Sequence, residues 1–513
     1  MPREDYASPT LYTISIFSRT IRIILYTVLG VSVICIGGFE LMHLNIEHRL
    51  LSTPSGVSTS SEDEYGWQEE NQGWTGGPSG GTDPRLGWKG RLAVRTAWSY
   101  QNEGSGGLIS SIDNNRHDRI SRSSVSVPSR GYDKGYEMAA ECLDQAIEIA
   151  EKKGIEFPPS FYADASGLPK AGMMGQVGDS TAVDLFMLKA GVLERIGTPS
   201  ALTEAKDLYE RVLPVSMDRE TVVGQKARRM RLAGKIGDLH IRLGDEKAAM
   251  GWWIWGLGLA QINPNTSSKL SNANPSPKGW FSWIRKPNTV SIPQADESTT
   301  ESITTLPPPI LRTTISLLIS TSAQLAKTNQ LFQAESVQKQ ALSLLEKSST
   351  FTSPTSPLIT DRRKPSPSEL WSLWITHRQA LLTLHLASVR HARSLPALDM
   401  CSSASHTADN VLASLTPLPT LYSTRSSPLY PHATRLREDA IALAAEAAYT
   451  RGLLLEKSGT EGWETAVECF QHAMKLVGGS GEEDGAGRGE EWSRYYRGFA
   501  RVRSKMDSAL QGK

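Results

Sequence analysis

The chain has 513 residues, with 55 Lys and Arg against 54 Asp and Glu, so its formal net charge at pH 7 is +1. This balance leaves no overall basic excess for binding nucleic acid by counterion release, which argues against such a partner. The four cysteines, Cys35, Cys142, Cys401 and Cys469, lie far apart, without the close pairs of a disulfide framework or a zinc site.

Residues 1–21 form a short N-terminal segment, and the stretch 22–42 is predicted to be a transmembrane helix. Between Arg22 and Glu40 the sequence IILYTVLGVSVICIGGF carries no charge. With two further apolar residues it approaches the ~20 residues that cross a bilayer. A signal peptide and a buried helix are the alternatives, but no small-residue cleavage site follows, so we expect an uncleaved anchor.

The charges that flank this stretch predict its orientation. Arg3, Arg19 and Arg22 precede it, whereas acidic residues dominate the sequence that follows. Positive charge is retained on the cytoplasmic side of a membrane or its organellar equivalent. We therefore expect the short N-terminus on that side and residues 45–513 on the opposite side.

The next segment, 43–86, is rich in Gly, Ser and acidic residues and shows no helical period, so we predict a flexible spacer. Trp67 and Trp74 are unusual in such a segment, because disordered chains are poor in aromatic residues. Part of the spacer is therefore expected to pack on the folded body.

The region 87–262 is predicted to be helical and contains the clearest repeat pattern in the chain. Leu232–Gly258 is typical of two helices joined by a tight turn. Gly237 on the first helix precedes Ala249 on the second by twelve residues, and Trp253 follows one turn later. Small residues at a helix crossing, followed by a large residue, are typical of a tetratricopeptide (TPR) hairpin.

Weaker forms of this spacing recur along the chain. Further residues predicted to pack within repeats are Ala205, Tyr209, Ala334, Ala466 and Phe470. Since one helical hairpin cannot bury its apolar face alone, such units must stack. We predict an all-α fold with a single transmembrane helix followed by a degenerate TPR-like solenoid with long loop insertions. The alternative is a generic helical bundle whose alanines only reflect helix propensity.

Insertions and a terminal helix complete the predicted domain plan. After the first helical region we expect a Pro/Ser-rich insertion (263–309), a TPR-like hairpin (310–347), a linker (348–368), a helical region ending in a TPR-like hairpin (369–477), a Gly/acidic loop (478–491) and a capping helix (492–510). Solenoids need a capping helix because their last repeat would otherwise expose its apolar face.

Catalytic and ligand-binding signatures are missing from the sequence. There is no H-E-x-x-H, no P-loop, no G-x-S-x-G and no dinucleotide-binding glycine pattern. The ten histidines do not cluster with carboxylates at the spacing of metal ligands. We therefore expect a protein that is not an enzyme and holds no cofactor or metal.

A TPR-like solenoid would bind partner proteins along its concave wall, which is lined by the first helices of the repeats. Six residues lie off the packed faces of two such helices and are the candidate groove residues: Met187, Glu194, Arg195, Arg231, Asp238 and Arg242. Isolated charges of this kind are often solvated rather than bound to a ligand. Their mixed signs also argue against a basic clamp for C-terminal carboxylates.

Three segments together resemble a known family. They are YGWQEENQGWTGGPSGGTDPRLGWKGRLAVRTAW (Tyr65–Trp98), GYDKGYEMAAECLDQAIEIA (Gly131–Ala150) and LAGKIGDLHIRLGDEKAA (Leu232–Ala249). Preceded by a single span, they resemble fungal mitochondrial inner-membrane TPR proteins that are similar to the TPR adaptor subunit of the i-AAA protease. The resemblance covers most of residues 20–260 and, more weakly, 434–510, and its most specific part is GGTDP–GW–GR–AW.

This resemblance implies an anchor in the mitochondrial inner membrane and a body in the intermembrane space. There the protein would bind unfolded proteins and pass them to the hexameric i-AAA protease. The chain departs from the family in the insertions 263–309 and 348–368, which put a continuous groove in doubt. The alternative function is a scaffold or import receptor anchored in another membrane and facing the cytosol.

Overall fold

The computed structural model describes residues 8–47, 65–67, 74–76, 81–103, 134–160, 169, 175–217, 221–260, 306–349, 367–415, 429–478 and 490–511. Over these residues the protein is all-α, apart from two short strands, β1 (Gln176–Val177) and β2 (Val215–Ser216), which pair in parallel. The helices are α1 (Ser8–Asn45), α2 (Gly87–Glu103), α3 (Lys134–Lys152), α4 (Ser180–Ile196), α5 (Pro199–Val212), α6 (Val222–Arg242), α7 (Glu246–Ala260), α8 (Pro308–Lys327), α9 (Leu331–Ser349), α10 (Pro367–Ala392), α11 (Leu398–Leu415), α12 (Tyr430–Lys457), α13 (Trp463–Gly478) and α14 (Glu490–Gln511).

Several helices begin at a residue that caps their first turn. Asp179, Thr198 and Thr221 stand immediately before α4, α5 and α6. Each side chain accepts a hydrogen bond from a backbone N–H two or three residues further on. Such caps satisfy donors that a helix N-terminus would otherwise leave unpaired, and they fix where each helix starts.

Helices that are consecutive in the chain pack against each other from α2 to α14. α6 and α7 both contact α8 as well, so that hairpin touches the next helix along its length. At this contact a Cβ on Gly234 would lie 3.2 Å from Leu317 Cδ2, and a Cβ on Gly256 would lie 3.1 Å from Leu317 Cδ1. The two glycines therefore allow α8 to approach closely.

Three of the turns between paired helices share one backbone geometry. Gly244, Asn329 and Ser394 follow α6, α8 and α10 with positive φ values of 88°, 61° and 59°. In each turn the next residue donates its N–H to a carbonyl five residues earlier, at 2.8, 2.8 and 2.9 Å. This pattern is the Schellman motif, which ends a helix by placing one residue in the left-handed region.

Ser394→Gly is expected to stabilise the protein by about 0.5–1 kcal/mol. A left-handed conformation costs a non-glycine residue about 1–2 kcal/mol, which glycine avoids. Part of that stabilisation is lost because glycine has more conformational entropy in the unfolded chain. Gly244→Ala at the equivalent position should destabilise by a similar amount. Urea unfolding of the purified full chain tests both variants. A loss of stability in Ser394→Gly would contradict the shared geometry.

The predicted membrane span lies within α1, a helix of 38 residues. Several of its apolar side chains are exposed, among them Ile23, Leu25 and Val28 at 59%, 56% and 60%. The side chains of 32–36, 39 and 42 lie outside the described residues. Searched over the described residues alone, no helix combines the length and apolar character of a membrane span.

The end of α1 is joined to α2 by a buried carboxylate. Glu47 accepts hydrogen bonds from the backbone N–H and hydroxyl of Thr82, both at 2.9 Å, and from Arg91 Nη2 at 2.9 Å. Arg95 Nε lies 3.1 Å from the same carboxylate. We call Glu47, Thr82, Arg91 and Arg95 the Glu47 latch. It attaches α1 to the helical body at a buried ionic contact.

A second polar contact follows directly along the chain. Arg85 donates from Nη1 to Asp179 Oδ2 at 2.6 Å and from Nε to Asp83 Oδ2 at 2.8 Å. Thr181 donates its hydroxyl to Asp83. Burial raises the pKa of the Asp83 carboxyl, but the hydrogen bonds from Thr181 and Arg85 outweigh burial and hold it below its ordinary value. The sequence TDPR of residues 82–85 thus ties α1, α2 and α4 together.

These contacts show that the described parts of segment 43–86, predicted to be a flexible spacer, pack against the helices. Its described parts are packed rather than free: Ile46, Trp67 and Leu86 are buried, at 1%, 3% and 0% exposure. The physical reason is that the segment supplies apolar and charged side chains that the helices bury. Most of the predicted insertion 263–309, the linker 348–368 and the loop 478–491 lie outside the described residues.

Candidate functional site

The first helices of three successive hairpins, α4, α6 and α8, present polar side chains that are not needed for packing within the hairpins. Glu194 near the end of α4 and Lys235 and Asp238 on α6 form the centre of this group, and Ser320 on α8 borders it. We call these four residues the α4–α6–α8 recess.

Glu194 is held by two neighbouring elements. Lys235 Nζ donates to both of its carboxylate oxygens, at 2.9 and 3.0 Å. The hydroxyl of Tyr209 on α5 donates to Oε2 at 3.2 Å. Burial raises the pKa of Glu194, but the charge and hydrogen bonds of Lys235 outweigh burial, so the pKa lies below its ordinary value. Glu194 is therefore a fixed anion in the wall of the recess.

Asp238 lies one turn from Lys235 and is exposed at the surface of α6. Protein nevertheless surrounds its carboxylate closely enough for desolvation to raise its pKa to about 6. Lys235 and the nearby polar groups of Trp253 and Ser320 act in the opposite direction and lower this pKa, while the negative charge of Glu194 adds to the increase. Desolvation disfavours the charged form of a carboxyl group, so Asp238 is accessible at the surface but poorly hydrated.

Arg242 belongs to the same region but has a structural contact. Its Nη1 donates to the backbone carbonyl oxygen of Glu194 at 3.0 Å. That carbonyl lies in the last turn of α4, where helix carbonyls lack partners within the helix and a cation is favourable. Arg242 thus caps α4 and fixes the distance between α4 and α6.

The remaining predicted groove residues are dispersed. Met187 is half-buried against the hydrophobic core that includes α4. Arg195 lies over the ring of Tyr136, with its guanidinium carbon 5.8 Å from the ring centroid. Arg231 is half-buried two turns before Asp238 on α6. The structure therefore brings together Glu194, Asp238 and Arg242 of the predicted set, whereas Met187 packs into the core and Arg195 lies against Tyr136.

The predicted groove does not include Lys235, Tyr209 or Ser320. The sequence carries a signal for Lys235, because Arg231, Lys235 and Asp238 follow each other at the four- and three-residue spacings of one helix face. For Tyr209 the sequence predicts repeat packing alone. It carries no such signal for Ser320, since α8 meets α6 only through tertiary packing.

The residues predicted to pack within repeats are all buried, and two sets show a common arrangement. A Cβ on Gly237 would lie 2.6 Å from Cδ1 of Trp253. Likewise a Cβ on Gly452 of α12, or on Gly498 of α14, would lie 2.9 Å from Cε1 of Phe470. In both places an aromatic ring of a second helix covers a glycine of a neighbouring helix. The others, Ala205, Tyr209, Ala249, Ala334 and Ala466, are 3% exposed or less.

Groups suited to catalysis or metal binding are not evident in the described part of the chain. No cluster of three or more His, Cys, Asp or Glu side chains there could hold a metal ion. The thiols of Cys142, Cys401 and Cys469 are free, and burial raises the pKa of Cys401 to about 12. A thiol with such a pKa is a poor nucleophile. The side chain of Cys35 lies outside the described residues.

The sequence was compared with protein-family models and with curated proteins. No protein-family model matches the chain, and no curated protein matches it.

Proposed function

We propose that this chain is a membrane-anchored adaptor whose helical body is a TPR-like solenoid that binds other proteins. The order of packing supports the solenoid: from α2 to α14, helices that are consecutive in the chain pack against each other. Repeat proteins have this quasi-one-dimensional organisation because each unit buries its apolar face against the next.

The anchor is α1. Its exposed apolar side chains, including Ile23, Leu25 and Val28, would be unfavourable in water but favourable in lipid. The arginines that precede the apolar stretch favour an orientation with the helical body on the opposite side from the N-terminus.

The observation that carries the proposal is the α4–α6–α8 recess. It offers a fixed anion at Glu194, a cation at Lys235 and a poorly hydrated carboxylate at Asp238, on helices held at a fixed spacing by Arg242. Donors and acceptors of both charge signs suit an extended or unfolded polypeptide, whose backbone and side chains present both kinds of group. A small-molecule substrate would need an enclosed pocket instead.

The resemblance of residues 65–98, 131–150 and 232–249 supports a specific partner. The adaptor would sit in the mitochondrial inner membrane, bind unfolded proteins in the intermembrane space and deliver them to the i-AAA protease. Protein quality control of this kind requires no catalytic residue in the adaptor, because the protease supplies the chemistry.

A photo-crosslinking amino acid at position 238 of the full-length, membrane-embedded protein tests the recess. We expect crosslinks to unfolded client proteins and to subunits of the AAA protease, identified by mass spectrometry. The matched control carries the same group at Lys247, which is exposed on α7. Equal labelling at both positions, or recovery of no protease subunit, would overturn the adaptor proposal.

Orientation separates the adaptor from the scaffold or import receptor that faces the cytosol. A C-terminal tag should resist added protease in intact mitochondria and become accessible after rupture of the outer membrane. Digestion in intact organelles would favour the receptor.

A further inference from the structure

Residues Tyr65, Gly66 and Trp67, which we call the 65–67 strap, are inserted between helices far away in the chain. The ring of Tyr65 lies 5.5 Å from that of Trp371 on α10, between centroids. Trp67 meets the edge of Trp371 at 6.4 Å and the ring of His432 on α12 at 5.4 Å. Trp67 is 3% exposed, so the helices enclose it almost completely.

Arg312 on α8 recognises the backbone of the strap. Its Nη1 donates to the carbonyl oxygen of Gly66 at 3.2 Å and to that of Tyr65 at 3.5 Å. Its guanidinium carbon lies 4.0 Å from the centroid of the Trp67 ring, a favourable cation–π distance. Arg312 is only 6% exposed, and a buried cation is stable only where neighbouring groups compensate for lost water. The strap supplies two carbonyls and an aromatic face for this purpose.

The middle residue of the strap must be glycine for two reasons. Gly66 has a φ of +68°, which residues with a side chain rarely adopt. A Cβ at this position would also lie 2.6 Å from Cγ of Pro309 at the start of α8. The surrounding surface therefore fits the sequence aromatic–Gly–Trp. It contacts the aromatic rings of the first and third residues, it donates hydrogen bonds to the carbonyls of the first two, and it leaves no space for a side chain on the middle residue.

We propose that the surface formed by Pro309, Arg312, Trp371 and His432 is a peptide-binding pocket that the 65–67 strap occupies in cis. An extended segment of a partner protein with the sequence aromatic–Gly–Trp binds there when it replaces the strap. Such a segment presents the same rings and carbonyls as the strap, so Arg312 and Trp371 make the same contacts with it. The strap acts as an internal competitor whose advantage is its high local concentration.

This pocket is a different site from the α4–α6–α8 recess. Arg312 precedes Ser320 on α8 by eight residues, a distance of about 12 Å along the helix axis. The inference also does not depend on the adaptor function, because it concerns only which peptide the pocket accepts.

A fluorescent peptide with the sequence of residues 63–69, DEYGWQE, tests the proposal on the purified full chain in detergent. We expect Trp67→Ala to bind this peptide about tenfold or more tightly than the wild type, because the internal competitor is weakened. A control peptide with alanine in place of the glycine should bind neither protein, since its methyl group would collide with Pro309.

Trp67→Phe provides a second variant that keeps a ring in the pocket and preserves the fold. It should bind the peptide more tightly than the wild type and less tightly than Trp67→Ala. The proposal is wrong if the folded Trp67→Phe protein gains no peptide binding, or if the glycine and alanine peptides bind equally well. Circular dichroism establishes that each variant is folded, and Trp67→Phe decides the question if Trp67→Ala is not.

Discussion

Replacing Trp253 by alanine is expected to lower the free energy of unfolding by about 3–5 kcal/mol, the usual effect of truncating a buried aromatic side chain. The residue is 2% exposed, and its Nε1 donates to the carbonyl oxygen of Gly234 at 3.4 Å. Alanine would leave a cavity between α6 and α7 and remove this hydrogen bond. Urea or thermal unfolding of the full chain, followed by circular dichroism, measures the change.

A double-mutant cycle with Gly237 identifies the packing contact itself. A Cβ on Gly237 would lie 2.6 Å from Cδ1 of Trp253, so Gly237→Ala should destabilise by about 1–3 kcal/mol. In the Trp253→Ala background the same change should have little effect, because the cavity accommodates the methyl group.

Gly251→Ala on α7 is the matched control for this cycle. A Cβ there meets no neighbouring group within 4 Å, and helix propensity predicts a gain of up to about 1 kcal/mol. Equal destabilisation by Gly237→Ala in both backgrounds would mean that the glycine and the indole are not in contact in solution.

Glu47→Leu is the second substitution for which we expect a large loss, again about 3–5 kcal/mol. The side chains of Glu47 and Arg95 are 8% and 9% exposed. Leucine would leave the guanidinium of Arg95 buried without its carboxylate partner. Glu148→Leu is the control, because Glu148 pairs with Lys152 at the protein surface, where ion pairs contribute little. Similar unfolding curves for the two variants would contradict the Glu47 latch.

The same carboxylate makes the latch sensitive to acid. Burial raises the pKa of Glu47, but hydrogen bonds from the Thr82 N–H and from Arg91 outweigh burial, so the pKa lies below the ordinary 4.5. The stabilisation is therefore complete above pH 4.5 and is lost as the pH falls through the folded-state pKa. Below pH 4.5 the wild type should lose stability more steeply than Glu47→Gln.

Packing inside a hairpin could be predicted because it depends on residues close together in the chain. The spacing of Gly237, Ala249 and Trp253 follows from helix geometry and a short turn, and all three are buried. The predicted hairpin 310–347 corresponds to α8 and α9 for the same reason. Helix ends differ by a few residues, as is usual where caps and fraying decide the boundary.

Contacts between distant segments could not be predicted from spacing. Arg312 and Gly66 are separated by 246 positions, and no periodicity relates a tripeptide in a Gly-rich segment to the start of a helix. The α4–α6–α8 recess could be predicted only in part. The repeat pattern places Glu194 and Asp238 on the first helices of their hairpins. Their connection through Lys235 depends on the packing of α4 against α6, which the pattern does not give. The tryptophans at positions 67 and 74 were the one local sign that the spacer is partly folded.

The contact between Glu47 and Thr82 holds the end of α1 against the helical body, although residues 48–81 separate the two in sequence. A free tether of this length would allow the body to explore a radius of about 30 Å around the end of α1. With the latch closed, α1 and the helical body would move together, so under the proposed anchoring the tilt of α1 would also set the tilt of the body. Under the same proposal, encounters with another protein of that membrane would depend on the rotational alignment of the body, because the latch removes the motion of the body relative to α1.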